Sequence, residues 1–135
     1  MDFTLKPNSV GECKELVTED NTAIKFASGT APVYATPAMV GLMENSAVTA
    51  IGSQLPEGFG SVGISMNVKH MSATPIGMTV TAKATLLEQD RKKLTFKVEA
   101  WDEAGQVGEG VHERFIIETA PFLKKADAKK AAFSK

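Results

Sequence analysis

The period of the apolar residues changes once along this chain, at Gly58, and that change restricts the fold more than any other feature. Before it, Val40, Met43, Ala47, Val48, Ile51 and Leu55 recur at spacings of three and four, as on one stripe of an amphipathic helix. Gly41, Asn45, Thr49, Gly52 and Ser53 fall on the opposite side. Thr36 is placed to accept a hydrogen bond from the first turn as N-cap, and Pro37 suits the first helical position, where a missing N–H costs nothing. Pro56-Glu57-Gly58 stops the helix. Beyond Gly58 the period is two. Val62, Ile64, Met66 and Val68 alternate with polar or small residues, and so do Met78, Val80, Ala82, Ala84 and Leu86. Leu94, Phe96, Val98 and Ala100 form a third run, and Val107, Val111, Phe115 and Ile117 lie in a fourth. The connections, Thr74-Pro75-Ile76-Gly77, Gln89-Asp90-Arg91-Lys92 and Asp102-Glu103-Ala104-Gly105, are short and polar. Four successive strands predict an antiparallel meander with one buried face. Residues 9–18 add a possible strand before the helix. The layout predicts an α+β domain, one long helix against a curled sheet.

A length of 135 residues suits a single domain spanning 1–135, with a Lys- and Ala-rich tail or short helix over about 120–135. Fifteen basic residues against sixteen acidic ones leave a net charge of −1, which offers no field for a polyanion, so nucleic acid is not an expected partner. Cys13 is the only cysteine and cannot form an internal disulfide, which suits a reducing compartment. No apolar run approaches the ~20 residues that span a bilayer, and Met1-Asp2-Phe3-Thr4 does not resemble a secretion signal. The expectation is a cytoplasmic protein with no membrane partner.

The residues that break the pattern carry the chemistry. Glu44 falls within the apolar stripe, four after Val40, three before Ala47 and seven before Ile51. An unpaired carboxylate buried there costs several kcal/mol or takes up a proton. Either Glu44 lies at a wet margin or pairs with a buried cation, or it faces a cleft with a raised pKa, as a base or nucleophile. His70 continues the even-numbered face of Val62 to Val68 and so points inward. The helix and the strand after it are expected to bring Glu44 and His70 to one pocket. His112-Glu113 lacks the second histidine of a zincin motif, and with two histidines in all no metal site is expected. The glycines Gly58, Gly60 and Gly63 fit neither a phosphate loop nor a dinucleotide fingerprint. Arg91-Lys92-Lys93 reads as a solvated hairpin tip. Asn67 and Lys69 occupy the outer parity of their strand, where a second subunit could turn them into cleft residues.

Several segments together resemble one family. They are Ala35-Thr36-Pro37-Ala38-Met39-Val40-Gly41-Leu42-Met43-Glu44, Val62-Gly63, Asn67-Val68-Lys69-His70, Ala73-Thr74-Pro75-Ile76-Gly77 and Gly110-Val111-His112-Glu113-Arg114-Phe115. The chain resembles, from about residue 9 to 118, the fluoroacetyl-CoA thioesterase-like branch of the hotdog-fold superfamily. The specific part is the Ala-Thr-Pro-Ala element with its glutamate, followed 26 residues later by His70. The resemblance implies a hotdog fold, a long central helix wrapped by a curved antiparallel sheet. It implies a homodimer joined edge to edge, with active sites at the subunit interface. It assigns catalysis to Thr36, Glu44 and His70, the backbone oxyanion position to Gly63 and an acyl-CoA contact to Arg114. It implies no cofactor apart from the coenzyme A of the substrate.

A thioester carbonyl is electrophilic and a thiolate leaves readily, so an oriented attacker and an oxyanion site suffice. Glu44 would attack directly or activate water, His70 would polarise the substrate or move protons, and the Gly63 N–H would stabilise the oxyanion. Thr36 stands eight residues before Glu44, ~12 Å along a regular helix. That calls for a bent helix start or for a threonine from the other subunit. The family's phenylalanine-lined lid precedes the Thr-Pro element, and here residues 22–30 hold only Phe26. The expected substrate is therefore a small or short-chain acyl-CoA without fluoroacetyl selectivity, with Phe26 and Tyr34 as lid or pocket residues and Asn67 as a further contact. The rival readings are a non-catalytic acyl-CoA-binding module and a hydratase or dehydratase. The latter usually pairs Asp with His beside the helix, and no such pair occurs here.

Overall fold

The computed structural model describes residues 3–133. In chain order the elements are β1 (Val10–Leu16), α1 (Thr36–Ile51), β2 (Phe59–His70), β3 (Thr79–Asp90), β4 (Lys93–Asp102), β5 (Gly105–Glu118) and α2 (Thr119–Ala132). Single 3-10 turns cover Glu19–Asn21 and Gly52–Gln54. The five strands form one antiparallel sheet in the order β1-β3-β4-β5-β2, and α1 lies across its inner face. The expected tail is the regular helix α2, exposed along its whole length, while residues 134–135 of that tail lie outside the described residues.

The hydropathy pattern is met most fully in β3 and β4. Val80, Ala82, Ala84 and Leu86 alternate into the core against Leu94, Phe96, Val98 and Ala100. Their small members let α1 approach the sheet closely, and the buried Ser46 hydroxyl sits within reach of the Leu42 and Ala82 carbonyls. Gly11 of β1 serves the same end. A Cβ there would overlap the Ser46 carbonyl oxygen and stand 2.5 Å from the Ala50 nitrogen.

Three expectations need correction. The meander covers β3, β4 and β5 only, because β2 crosses to the far edge and pairs with β5, while β1 takes the place beside β3. Residues 71–78 make that crossing, between the end of β2 and the start of β3. The inner face of β2 also differs from the predicted one. A bulge at Ile64, between the Gly63–Arg114 and Ser65–Glu113 pairs, shifts the parity, so that Met66, Val68 and His70 face inward while Ile64 is exposed. In β5 the parity is reversed: His112, Arg114 and Ile116 are buried and Val111 and Phe115 exposed. Further bulges at Leu87 of β3 and Val107 of β5 add to the curl that wraps the sheet around α1.

The predicted helix is present, but its α-helical part ends at Ile51 with a 3-10 turn over Gly52–Gln54 before Leu55, and its buried stripe is rotated. Met39, Leu42, Met43, Ser46, Ala47, Ala50 and Ile51 are buried, whereas Val48 is exposed and Val40 half-buried. Glu44 therefore lies at the margin of the stripe with Val40 and Val48. The helix begins one residue earlier than expected: Ala35 is the N-cap, no side chain caps the first turn, and Pro37 takes the second position. The Thr36 hydroxyl is engaged elsewhere.

Candidate active site

Two clusters of polar side chains lie between α1 and β2. At the helix start, Thr36 Oγ1 lies 2.7 Å from His70 Nδ1, at the end of β2. The other ring nitrogen of His70, Nε2, is buried and has no hydrogen-bond partner among the described residues. Burial holds the His70 pKa below the ordinary value, against a weaker upward pull from the Ser72 backbone. A cleft of about 240 Å³ adjoins this pair, lined among others by Val33, Tyr34, Met71 and Ala73. Tyr34 is fixed from behind, its hydroxyl donating to Glu15 Oε1 at 2.5 Å. Phe26 lies on the same loop as Tyr34, exposed and outside the lining of the cleft. Asn67 is exposed on the outer parity of β2 and joins neither cluster.

The second cluster forms halfway along α1. The Glu44 side chain is 43% exposed, and its Oε2 stands 3.9 Å from Nη1 of Arg114, whose side chain is only 7% exposed. Within one chain Glu44 thus lies at a wet margin and beside a buried cation. Gly63 closes the group from β2. A Cβ there would come within 2.9 Å of Glu44 Oε2, 3.3 Å of His112 Cε1 and 3.5 Å of Arg114 Nη1. Only a residue with no side chain leaves the carboxylate, the guanidinium and the Gly63 backbone this close together.

Arg114 is held on three sides. Nε donates to Ser61 Oγ at 2.8 Å, Nη2 donates to the Ser61 carbonyl at 2.9 Å, and Nη1 donates to His112 Nε2 at 3.1 Å. Burial lowers the Arg114 pKa and the Glu44 carboxylate opposes that shift. No metal pattern surrounds His112 in the sequence, yet it is 1% exposed and reaches the core of this cluster. Its usable signal was the company it keeps: a strand face reading Gly108, Gly110, His112, Arg114 is poor in packing volume and rich in hydrogen-bonding groups.

The expected union of Glu44 with His70 does not occur within one chain. Among the described residues no hydrogen bond or ion pair joins the two clusters, and His70 sits opposite Gly108 in the sheet while Gly63 sits opposite Arg114. Six residues of β5 separate those registers, ~20 Å of strand. Each cluster holds part of what an acyl transfer needs: a carboxylate and a cation in one, a hydroxyl–imidazole pair in the other.

The sequence model of the fluoroacetyl-CoA-specific thioesterases matches residues 17–120. The chain belongs to that family. It is 41% identical over 131 residues to the fluoroacetyl-CoA thioesterase of Streptantibioticus cattleyicolor, covering 97% of this chain and 90% of that protein. A crystal structure of a mutant of the fluoroacetyl-CoA-specific thioesterase FlK superposes with a TM-score of 0.87 at 31% identity, over 95% of this chain and 99% of the other. A thioesterase superfamily member from Thermus thermophilus superposes with a TM-score of 0.89 at 25% identity, over 96% of each. The fold is the hotdog fold, and the family is one of thioester hydrolases. Among the described residues no helix is long and apolar enough to cross a membrane.

Proposed function

We propose that this protein hydrolyses a small or short-chain acyl-CoA to the free acid and CoA, with Glu44 as nucleophile or general base. The observation that carries the reading is the convergence of the Glu44 carboxylate, the Arg114 guanidinium and the Gly63 backbone on one exposed point of α1 and β2. A thioester carbonyl set there meets an attacker and an N–H for its developing oxyanion. In the nucleophilic route a Glu44 oxygen bonds to the carbonyl carbon, the C–S bond breaks, and the thiolate leaves; water then cleaves the resulting anhydride. In the general-base route Glu44 takes a proton from water as the water attacks. His70, kept neutral by burial and hydrogen-bonded to Thr36, can donate an N–H hydrogen bond from its free Nε2 that polarises the thioester, and the thiolate leaves as the anion without taking a proton from it. No further cofactor enters the reaction.

The active unit is a homodimer. Of the two sheet edges, β1 carries Glu12, Lys14 and Glu15, whereas β2 runs twelve residues with Lys69 as its one ordinary charge and no proline. A long edge of that composition is suited to pairing. Two β2 strands paired antiparallel about a two-fold axis at Asn67 set the partner's His70 opposite the Gly63–Ile64 bulge, since 64 + 70 = 67 + 67. That register brings the hydroxyl–imidazole pair of one chain to the carboxylate and guanidinium of the other, and it supplies the additional burial that Glu44 lacks alone.

The small acyl group is supported by relatives: the FlK structures include complexes with fluoroacetate and with acetyl-CoA. In this chain residues 22–30 carry only Phe26, and it is exposed. Fluoroacetyl selectivity is therefore not part of the proposal. Free-thiol release from acetyl-, propionyl-, butyryl- and fluoroacetyl-CoA tests it. The expected result is turnover of at least one non-fluorinated substrate that Glu44→Ala abolishes. No hydrolysis above background, or full activity in Glu44→Ala, overturns it. Thermal stabilisation by CoA thioesters without turnover would instead favour the binding module.

A further inference from the structure

The geometry points to His112 as a positioning residue, a buried neutral imidazole that holds the Arg114 guanidinium against Glu44. Four observations lead there. His112 Nδ1 lies 2.8 Å from the Ser65 carbonyl oxygen, which can only accept, so Nδ1 carries the proton. Nε2 is then a bare acceptor, and the N–H of Arg114 Nη1 fills it at 3.1 Å. The ring is 1% exposed, stacked on Phe96 with centroids 6.2 Å apart, so it has no freedom to turn. Its Cε1 also passes 3.3 Å from where a Gly63 Cβ would stand.

The consequence concerns which donors of Arg114 remain free. A guanidinium has five N–H groups in a rigid fork. Nε and one N–H of Nη2 are spent on Ser61, which tethers one edge only. Without a third acceptor the Nη1 end could tilt away from α1. With His112 accepting one Nη1 hydrogen, the other is left for the carboxylate 3.9 Å away. The tautomer is part of the device. A proton on Nε2 would oppose donor to donor and cation to cation. Burial and the neighbouring Arg114 both disfavour that proton, although the Ser65 carbonyl and the carboxylates of Glu44 and Glu113 pull the other way.

The kinetic half of this inference rests on the thioesterase reading, and the tautomer does not, so the two are tested apart. In the uniformly ¹⁵N-labelled full chain, long-range ¹H–¹⁵N correlation resolves the two histidines, and His112→Gln identifies the signals of His112. At pH 7 the expected pattern is a protonated Nδ1 and an acceptor-type Nε2. A proton on Nε2, alone or together with Nδ1, overturns the inference whether or not the protein is a thioesterase. For kinetics, the acyl-CoA of the panel that wild type turns over fastest is used. His112→Phe, checked for folding by circular dichroism, is expected to lose kcat by about 10-fold or more, with KM moving less than about 3-fold. His112→Gln, which returns an amide oxygen toward Nη1, is expected to recover at least about a third of the wild-type kcat. In an Arg114→Met background, His112→Phe is expected to cost less than about 2-fold. A loss of the same size in both backgrounds overturns the inference, because His112 would then act without Arg114. If His112→Phe does not fold, the Gln variant and the wild-type tautomer decide it.

Discussion

A single methyl group at Gly63 would test the candidate site most directly. The contacts a Cβ would make, at 2.9 Å to Glu44 Oε2 and 3.3 Å to His112 Cε1, are to side-chain atoms. The long glutamate can swing aside at small cost to folding, but the carboxylate then leaves its place. Gly63→Ala is expected to keep Tm within a few degrees of wild type while lowering kcat/KM by about 100-fold, the scale of a displacement near 1 Å. Thiol release and a thermal melt of the same preparation check both halves. The histidines allow a second residue-scale prediction. Burial is the main cause that lowers both His70 and His112 below their ordinary 6.5. Below that value the unfolded chain binds protons that the folded one refuses. The stability from the two neutral rings is therefore complete above pH 6.5 and is lost as pH falls toward their folded pKa values. Glu113, held low by its hydrogen bond from Ser65 and by Lys93, acts in the same sense only below its ordinary 4.5. Tm is thus expected to be lower at pH 5.5 than at pH 7.5, and the difference should shrink in the His70→Gln, His112→Gln double variant. A Tm that rises on acidification across that interval contradicts the assignment.

Among the elements, the contact of β1 with α1 has the least room. A Cβ on Gly11 meets the backbone of Ser46 and Ala50, which cannot swing aside as a side chain can. Gly11→Ala is expected to cost about 2–3 kcal/mol and to lower Tm by roughly 5–10 °C, measured by calorimetry. A shift under a degree would mean that α1 does not lie this close to β1. The same contrast of packing explains how much could be read beforehand. Strands β3 and β4 were legible because their inner residues are all apolar and their outer ones mostly polar, so period and burial coincide. The inner face of β5 was inverted, because a strand that lines a cleft turns Gly108, Gly110, His112 and Arg114 inward and leaves Val111 and Phe115 outside. Hydropathy ranks those two sets the wrong way round. The bulges were hidden for a related reason: Ile64 and Val107 are apolar and read as members of alternating runs, and Leu87 directly follows the last residue of one. The Thr36-Pro37 signal located the helix start to within a residue but misassigned the hydroxyl, which His70 takes in place of the first turn. Glu44 and His70 stand out in the sequence as violations of pattern, and the family resemblance adds Thr36, Gly63 and Arg114. The strand face around His112 carries a signal, but its contacts could not be read from it, because its partners are a carbonyl and a guanidinium that only the registered sheet brings beside it.

At the scale of the whole molecule, one chain keeps its two polar clusters apart. Eight residues of α1, ~12 Å, separate Thr36 from Glu44, and about 20 Å of sheet separates the registers of His70 and Gly63. If the dimer forms through β2, each active site takes its carboxylate from one chain and its imidazole from the other. Complementation between two inactive variants then follows from counting. A heterodimer of Glu44→Ala and His70→Ala has one site in which both residues are mutated and one in which both are intact. Random exchange of equal amounts makes half of the dimers mixed, and half of their sites are whole, so about a quarter of wild-type activity is expected after co-refolding. Sedimentation must show a dimer throughout, and each variant alone must stay inactive. A site confined to one chain gives no recovery at any mixing ratio, because every chain then carries its own defect.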